Sequence, residues 1–566
     1  MSRTVTFDEH PTLFRPWRIA RSAPLAVHAV TLAFAALMAV YSVAAPVFHA
    51  PDEPNHFDMV LQLRHDALTW PLTRDSRVSD QGMGAIAASP YGYRDHPFLH
   101  YWGVLRAAEA LPPADRPTLE ALHGPAAKSR SMINQMPQHP PLFYLVDSMV
   151  LRLVPGTQHW RWDHVLGLLR LMGGAMLLPL PTLVWAMTRR MLGRPDLAIA
   201  ASVIPLAIPT LTHLGGAVTN DDLLIPLCGF LALALAYVHR GDLTVRTAAW
   251  VGTAEGLALF TKGFAMTLAP WVALTYAYSW HRRRKATSSV IATTGFWRLG
   301  AILTATTTVA GGWWLIVDLM RYGTIQPSGP VGWRSFPLGT GQPHLGRFLW
   351  YAARQVTWQW WGSFGFEEAR VTSIAAIGGC VVLGSGILAA FARAVANGGR
   401  RADFVFLVAP TVLLTGSFVV PMTEQYLRTG VVAGLHGRYL YAGLVPVCVA
   451  VARGSERLPR RLAQWLPAAI LSGAVAMQVT ALDGIAHHFW IPHGAGFGEG
   501  WRDLTAYAQW PSWVVAGLFI GALTACLLAL AATLPPRHPS PRTGTRPTIQ
   551  MPSPRTESRQ PHYELP

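Results

Sequence analysis

Asp52 and Glu53 stand side by side in the stretch His49-Ala50-Pro51-Asp52-Glu53-Pro54-Asn55-His56-Phe57-Asp58, directly after the first long apolar block of the chain. Pro51 and Pro54 stiffen the backbone on either side and hold the two carboxylates at the end of that block. Adjacent carboxylates in a partly apolar setting repel, which raises the pKa of one and suits it to take a proton. Alone, such a pair is usually a solvated loop end. Here three other polar groups accompany it: His139-Pro140-Pro141-Leu142-Phe143-Tyr144, Thr219-Asn220-Asp221-Asp222 and His436-Gly437-Arg438-Tyr439-Leu440-Tyr441. Each lies at the end of an apolar stretch, so what matters is whether all four share one face.

The elements that must position them are membrane spans. The chain has 566 residues, 51% of them hydrophobic and only 13% charged, where soluble chains carry roughly 25%. Apolar blocks such as 25–47 and 514–534 have the length a helix needs to cross about 30 Å of hydrocarbon. An all-α polytopic membrane protein is expected, with twelve spans near 25–47, 164–187, 197–217, 222–238, 246–261, 264–280, 298–320, 371–392, 403–421, 438–452, 463–484 and 512–534. The four cysteines all fall in apolar stretches, which leaves no disulfide framework or thiolate metal site.

Charge placement tests that topology. Of the 46 Lys and Arg, 26 fall in the 110 residues of the segments assigned to the cytoplasm, among them Arg189-Arg190, Arg282 to Lys285 and Arg460-Arg461. The net charge of +16 is then mainly a marker of sidedness rather than a nucleic-acid surface. The reading divides the chain into a cytoplasmic N-terminus (1–23), a transmembrane domain (24–534) and a disordered Pro-rich cytoplasmic tail (535–566). Two long outer loops, 47–163 and 321–370, interrupt the spans, and an outer loop above 100 residues usually binds or catalyses. Residues 141–154 are too short to span and read as an interfacial helix on the outer leaflet. All four polar groups then face outward.

Taken in order, these motifs, with Gly256-Leu257-Ala258-Leu259-Phe260-Thr261-Lys262-Gly263 and the stretch from Gly311-Gly312-Trp313-Trp314 to Arg321-Tyr322-Gly323, resemble the GT-C superfamily of membrane glycosyltransferases. The resemblance covers about residues 25 to 450. It is strongest to a bacterial branch with a Pro-Asp-Glu-Pro-x-His-Phe signature, and the chain is also similar to protein mannosyltransferases and to aminoarabinose and arabinofuranosyl transferases. It implies a bacterial inner-membrane enzyme that moves a sugar from a polyprenyl-phosphate donor to an acceptor on the outer face, the acceptor being an envelope polysaccharide, a glycolipid or a protein. Asp52 would be the base, with Glu53 as its neighbour. One base with direct displacement inverts the anomeric centre, whereas a glycosidase needs two separated carboxylates.

The lipid phosphate needs cations. Arg438, beside Tyr439, is the first candidate, followed by Lys262 and then Arg170. His56 and His139 are candidates to orient acceptor or phosphate. Lys262 and Glu255, ionisable within or beside spans, serve either function or mutual neutralisation. Asp221 and Asp222, with Asp52 or Glu53, offer oxygen ligands for a divalent cation, although a metal-free, cofactor-free mechanism is favoured. Trp333, Trp350, Trp358, Trp360 and Trp361 suit interfacial anchors or a sugar platform, anchoring being preferred for most. The alternative function is a transporter or flippase of lipid-linked sugars, which the lack of an evident internal repeat disfavours.

Overall fold

The computed structural model describes residues 14–65, 76–89, 104–123, 133–286, 292–325, 336–365, 367–432 and 435–535. Trp333 and all but the first residue of the expected tail lie outside them. The chain is an all-α polytopic membrane protein. Among the described residues eight helices are long and apolar enough to cross a membrane: Leu25–Ala44, Trp162–Leu192, Asp221–His239, Gly295–Tyr322, Ser373–Ala396, Arg401–Thr429, Arg460–Phe489 and Ser512–Thr533. On Ser373–Ala396, Ile374, Val381 and Leu388 point outward more than 60% exposed, a face suited to lipid rather than water.

The other four expected spans are helical but short or broken. Pro205 and Pro209 divide the stretch near 197–217 into Pro195–Val203, the 3-10 turn Ile204–Ala207 and Pro209–Leu214, because proline removes a helix donor and clashes with the preceding turn. Val245–Thr261 has 17 residues. The remaining two begin as 3-10 segments, Gly263–Leu268 and Gly437–Gly443, before α-helix resumes. These irregular starts belong to the chain's polar motifs, with Lys262 immediately before the first and Arg438 and Tyr439 inside the second.

Six helices carry or support the site: α1 (Leu25–Ala44), α2 (Glu53–His65), α3 (Leu142–Leu153), α4 (Trp162–Leu177), α5 (Asp221–His239) and α6 (Val245–Thr261). α1 packs against Ser512–Thr533, α4 and the Leu180–Leu192 helix, and its Phe34 and Tyr41 are fully buried. α2 packs against α3, so the loop between the first two spans has its own core around Phe57, Phe143, Tyr144 and Trp162. Asp58 of α2 holds that loop together, accepting from Ser79 N (2.9 Å), Ser79 Oγ, Gln62 Nε2 (2.7 Å) and Asn134 Nδ2 (2.7 Å). Gly82 is needed where it packs on this carboxylate, since a Cβ would lie 2.4 Å from Asp58 Oδ1. Two short antiparallel strand pairs, Phe336–Pro337 with Val431–Val432 and Ser363–Phe364 with Ala369–Arg370, tie down the loop at 321–370.

Candidate active site

The two neighbouring carboxylates point in different directions. Asp52 has φ 62°, a left-handed conformation that Asp tolerates better than most residues, and the next residue begins α2. The sharp turn separates the side chains. Glu53 turns into the protein, where Arg170 of α4 binds it through two bonds, Nε to Oε1 at 2.8 Å and Nη2 to Oε2 at 2.6 Å, with both side chains fully buried. The remaining Arg170 donors go to the carbonyls of Ser42 (2.7 Å), Ala45 (3.0 Å) and Pro46 (2.9 Å) at the end of α1. A guanidinium has five N–H groups, and all of Arg170's are spent. Arg170 thus fastens α1, α2 and α4 together, which occupies the donors expected to meet the phosphate; Glu53, expected beside the base, is the other half of that lock, its Oε1 also taking Val218 N at 3.1 Å.

Asp52 turns the other way, toward the remaining motifs. Its Oδ2 lies 3.3 Å from Arg438 Nη2, and its Oδ1 accepts from Gln135 Nε2 at 3.0 Å. Arg438 Nε is 3.6 Å from Asp221 Oδ2, and Lys262 Nζ donates to Asp221 Oδ1 at 2.6 Å. Lys262 reaches it because α6 stops at Thr261 and Lys262 itself is extended (φ −156°, ψ 119°), which throws its side chain off the helix end. Lys262 therefore pairs with Asp221 and not with Glu255, which instead meets Thr307 Oγ1 at 3.5 Å. The Tyr439 ring lies under both cations, 5.0 Å from Lys262 Nζ and 5.9 Å from Arg438 Cζ. Asp52, Arg438, Asp221 and Lys262 form an alternating quartet contributed by residues 386 positions apart at the extremes.

Asp52 is the most exposed of the four, with 12% of its side chain accessible against 4% for Asp221, so the quartet opens at the carboxylate expected to act as base. Buried donors remain unspent. Arg438 Nη1 and His139 Nδ1 have no hydrogen-bond partner among the described residues. His56 donates to or accepts from Tyr144 Oη at 2.9 Å and stacks on that ring. Burial holds the His56 imidazole down at about 3, Asp52 opposing the shift and Lys262 and Arg438 adding to it. His139 is also held well below its ordinary value by burial, with Lys262 and His56 contributing. Both rings are neutral at physiological pH, available as hydrogen-bonding groups rather than as charges.

Asp222 does not join the quartet. It is fully buried beside α4, where a Cβ on Gly173 would fall 2.4 Å from its Oδ2. Among the described residues no group of three His, Cys, Asp or Glu side chains converges as a metal site. The oxygen ligands weighed for a divalent cation are turned apart, Asp221 facing Lys262 and Arg438 while Glu53 faces Arg170. Of the tryptophans, Trp350 is 72% exposed, whereas Trp360 and Trp361 are buried inside the protein and so pack rather than anchor; Tyr441 Oη donates to Trp360 O at 2.6 Å.

The sequence reading missed several contributors. Gln135 holds Asp52, and Asn134 beside it binds both Asp58 and the Asn55 carbonyl. Glu367, in a left-handed conformation (φ 77°), takes Gln355 and Gln359 amide donors and lies 4.0 Å from His436. Burial pushes the Glu367 carboxyl up, with Arg438 among the cations opposing it, so the loop at 321–370 adds a carboxyl near the quartet. Its signal was present in the paired glutamines of Gln355 and Gln359, one helical turn apart.

No protein-family model matches the chain and no curated protein matches it. Among solved structures it is similar to ArnT from Cupriavidus metallidurans bound to undecaprenyl phosphate, at 13% identity over 89% of this chain and 76% of that one, with a TM-score of 0.44. It is also similar to the oligosaccharyltransferase AglB from Archaeoglobus fulgidus in complex with an inhibitory peptide and a dolichol-phosphate, at 13% identity over 90% of this chain and 56% of that one, with a TM-score of 0.36.

Proposed function

We propose that this chain is an inverting glycosyltransferase that takes a sugar from a polyprenyl-phosphate donor and attaches it to an acceptor hydroxyl at the outer face of a bacterial inner membrane. The observation that carries the reading is the quartet: a carboxylate at the opening, held by a guanidinium whose Nη1 is unspent, with an ammonium behind. The acceptor oxygen attacks the anomeric carbon, its proton passes to Asp52, and the carbon–oxygen bond to the lipid phosphate breaks with the electron pair leaving on phosphate. Arg438 Nη1, supported by Lys262 and by a neutral His139, would donate to the phosphate oxygens as charge develops there. The order of the motifs along the chain, which resembles the GT-C superfamily, supports the same assignment. The acceptor is an envelope polysaccharide, a glycolipid or a protein.

The test replaces Asp52 with Asn and assays transfer from several polyprenyl-phosphate sugars in reconstituted membranes. Asn is chosen because it keeps the size and tolerates the left-handed backbone. Transfer is expected to fall at least about a hundredfold, the lower range for a general base. Full activity in Asp52→Asn would remove Asp52 from this role. Movement of lipid-linked sugar across vesicles without a new glycosidic bond would replace the enzyme reading with transport.

A further inference from the structure

Glu367 stands beside Glu368 in the turn between Ser363–Phe364 and Ala369–Arg370. Like Asp52 and Glu53, these neighbours diverge. Glu368 turns into the protein and meets His49 Nε2 at 3.1 Å, both side chains being almost fully buried, which fastens the turn to the chain just ahead of Asp52. Glu367, in its left-handed conformation, keeps 30% of its side chain accessible. A non-glycine residue at positive φ is uncommon, and such positions cluster at functional sites.

The Glu367 carboxyl is held without being used up. Gln355 Nε2 donates to its Oε2 and Gln359 Nε2 to its Oε1, both from the helix Leu345–Trp361. Among the described residues each oxygen takes one hydrogen bond, whereas a carboxylate offers about four acceptor positions. Gln359 is occupied on both halves, its Oε1 accepting from Gly437 N at 2.5 Å, which ties Glu367 to the residue before Arg438. His436 Nδ1 lies 4.0 Å from Glu367 Oε1, and its ring is 5.2 Å from that of Tyr439, the ring under both cations of the quartet. An accessible, half-satisfied carboxyl is thus fixed next to the Arg438 motif.

We propose that Glu367 binds two neighbouring hydroxyls of the transferred sugar and so selects donors whose sugar carries no carboxylate there. The inference rests on the glycosyltransferase reading above, in which Arg438 Nη1 takes the donor phosphate. The sugar is joined directly to that phosphate and comes within reach of the side chains around Arg438, whereas the acceptor hydroxyl is placed by Asp52. The two oxygens of one carboxylate suit vicinal hydroxyls, and hydrogen bonds to an ionised acceptor are about twice as strong as neutral ones. A uronate would bring a second negative charge to the same place and be repelled.

The test measures binding to the full chain in neutral detergent, affinity being read from the rise in unfolding midpoint with ligand concentration. The ligands are polyprenyl phosphate, its glucosyl, mannosyl and arabinosyl esters, and its glucuronosyl ester. At least one neutral ester is expected to bind at least about tenfold more tightly than polyprenyl phosphate, as a hydrogen bond to a charged group allows, and the glucuronosyl ester no more tightly. Glu367→Gln should lose most of that gain and bind polyprenyl phosphate as the parent does; Glu367→Asp, which keeps the charge on a shorter arm, should fall between. Removing the paired hydroxyls from the ester should cost the parent the same gain and cost Glu367→Gln little, a coupling that a structural prop does not give. Neutral esters no tighter than polyprenyl phosphate, a glucuronosyl ester as tight as the neutral ones, or equal weakening of polyprenyl phosphate in both variants would overturn the inference and leave the glycosyltransferase reading standing. An undiminished gain in Glu367→Gln would also overturn it, and with transfer lost would assign the carboxyl to the acceptor. A parent chain that binds no polyprenyl phosphate would overturn the glycosyltransferase reading itself, and this inference with it.

Discussion

Adjacent residues can have opposite duties when the backbone turns between them. Asp52 and Glu53 share a peptide bond, yet one faces the quartet and the other is sealed against Arg170. Breaking a buried ion pair by removing one charge costs about 3–5 kcal/mol. Glu53→Gln should therefore lower the unfolding midpoint sharply in detergent, while Asp52→Asn leaves it near the parent value and loses transfer; circular dichroism melts beside activity assays separate the two. Arg438→Lys keeps the charge but not the fork, and should raise the donor KM at least about tenfold. The histidines set a pH dependence. His56 titrates at about 3 when folded and near 6.5 when unfolded, so between those values the unfolded chain binds the extra proton and stability falls as pH falls. The midpoint should drop from pH 7 to pH 5, with a shallower slope in His56→Gln. The residue types at the quartet were legible from sequence because charged groups at the ends of apolar blocks are rare. Their pairing was not: which of Glu255 or Asp221 meets Lys262 depends on where α6 ends, and Arg170 finds Glu53 across 117 residues.

At the scale of elements, the helix positions were readable because twenty-residue apolar blocks bounded by arginine have few alternatives in a bilayer. The breaks were harder. Each 3-10 start at Gly263–Leu268 and Gly437–Gly443 adjoins one of the polar motifs, and local sequence shows glycine without showing how the helix yields. The loop at 47–163 stood out in the sequence by its length, but its fold did not, because its closure depends on Asp58 gathering Ser79, Gln62 and Asn134. Asp58→Asn replaces one acceptor oxygen with a donor facing donors, at a cost of roughly 1–3 kcal/mol. Limited trypsin digestion should cut this variant faster at Arg64 and Arg77 than the parent, with the spans left intact.

Over the whole molecule the two ends of α1 differ in electrostatic character. One end holds the quartet, and the other lies beside Arg15, Arg18, Arg189 and Arg190. If the site faces outward, a cysteine at exposed Ala108 will react with an impermeant maleimide in intact cells, and one at exposed Ser22 only after permeabilisation; the reverse pattern would invert the topology. The quartet itself has two carboxylates and two cations, so before any donor arrives its formal charges sum to zero. Such a site casts little long-range field and does not concentrate dissolved anions around itself. Inorganic phosphate and soluble sugar phosphates would compete poorly at millimolar order and below, whereas a carrier confined to the bilayer presents its phosphate at the required depth. Discrimination at this site would then come from delivery within a plane rather than from attraction out of solution.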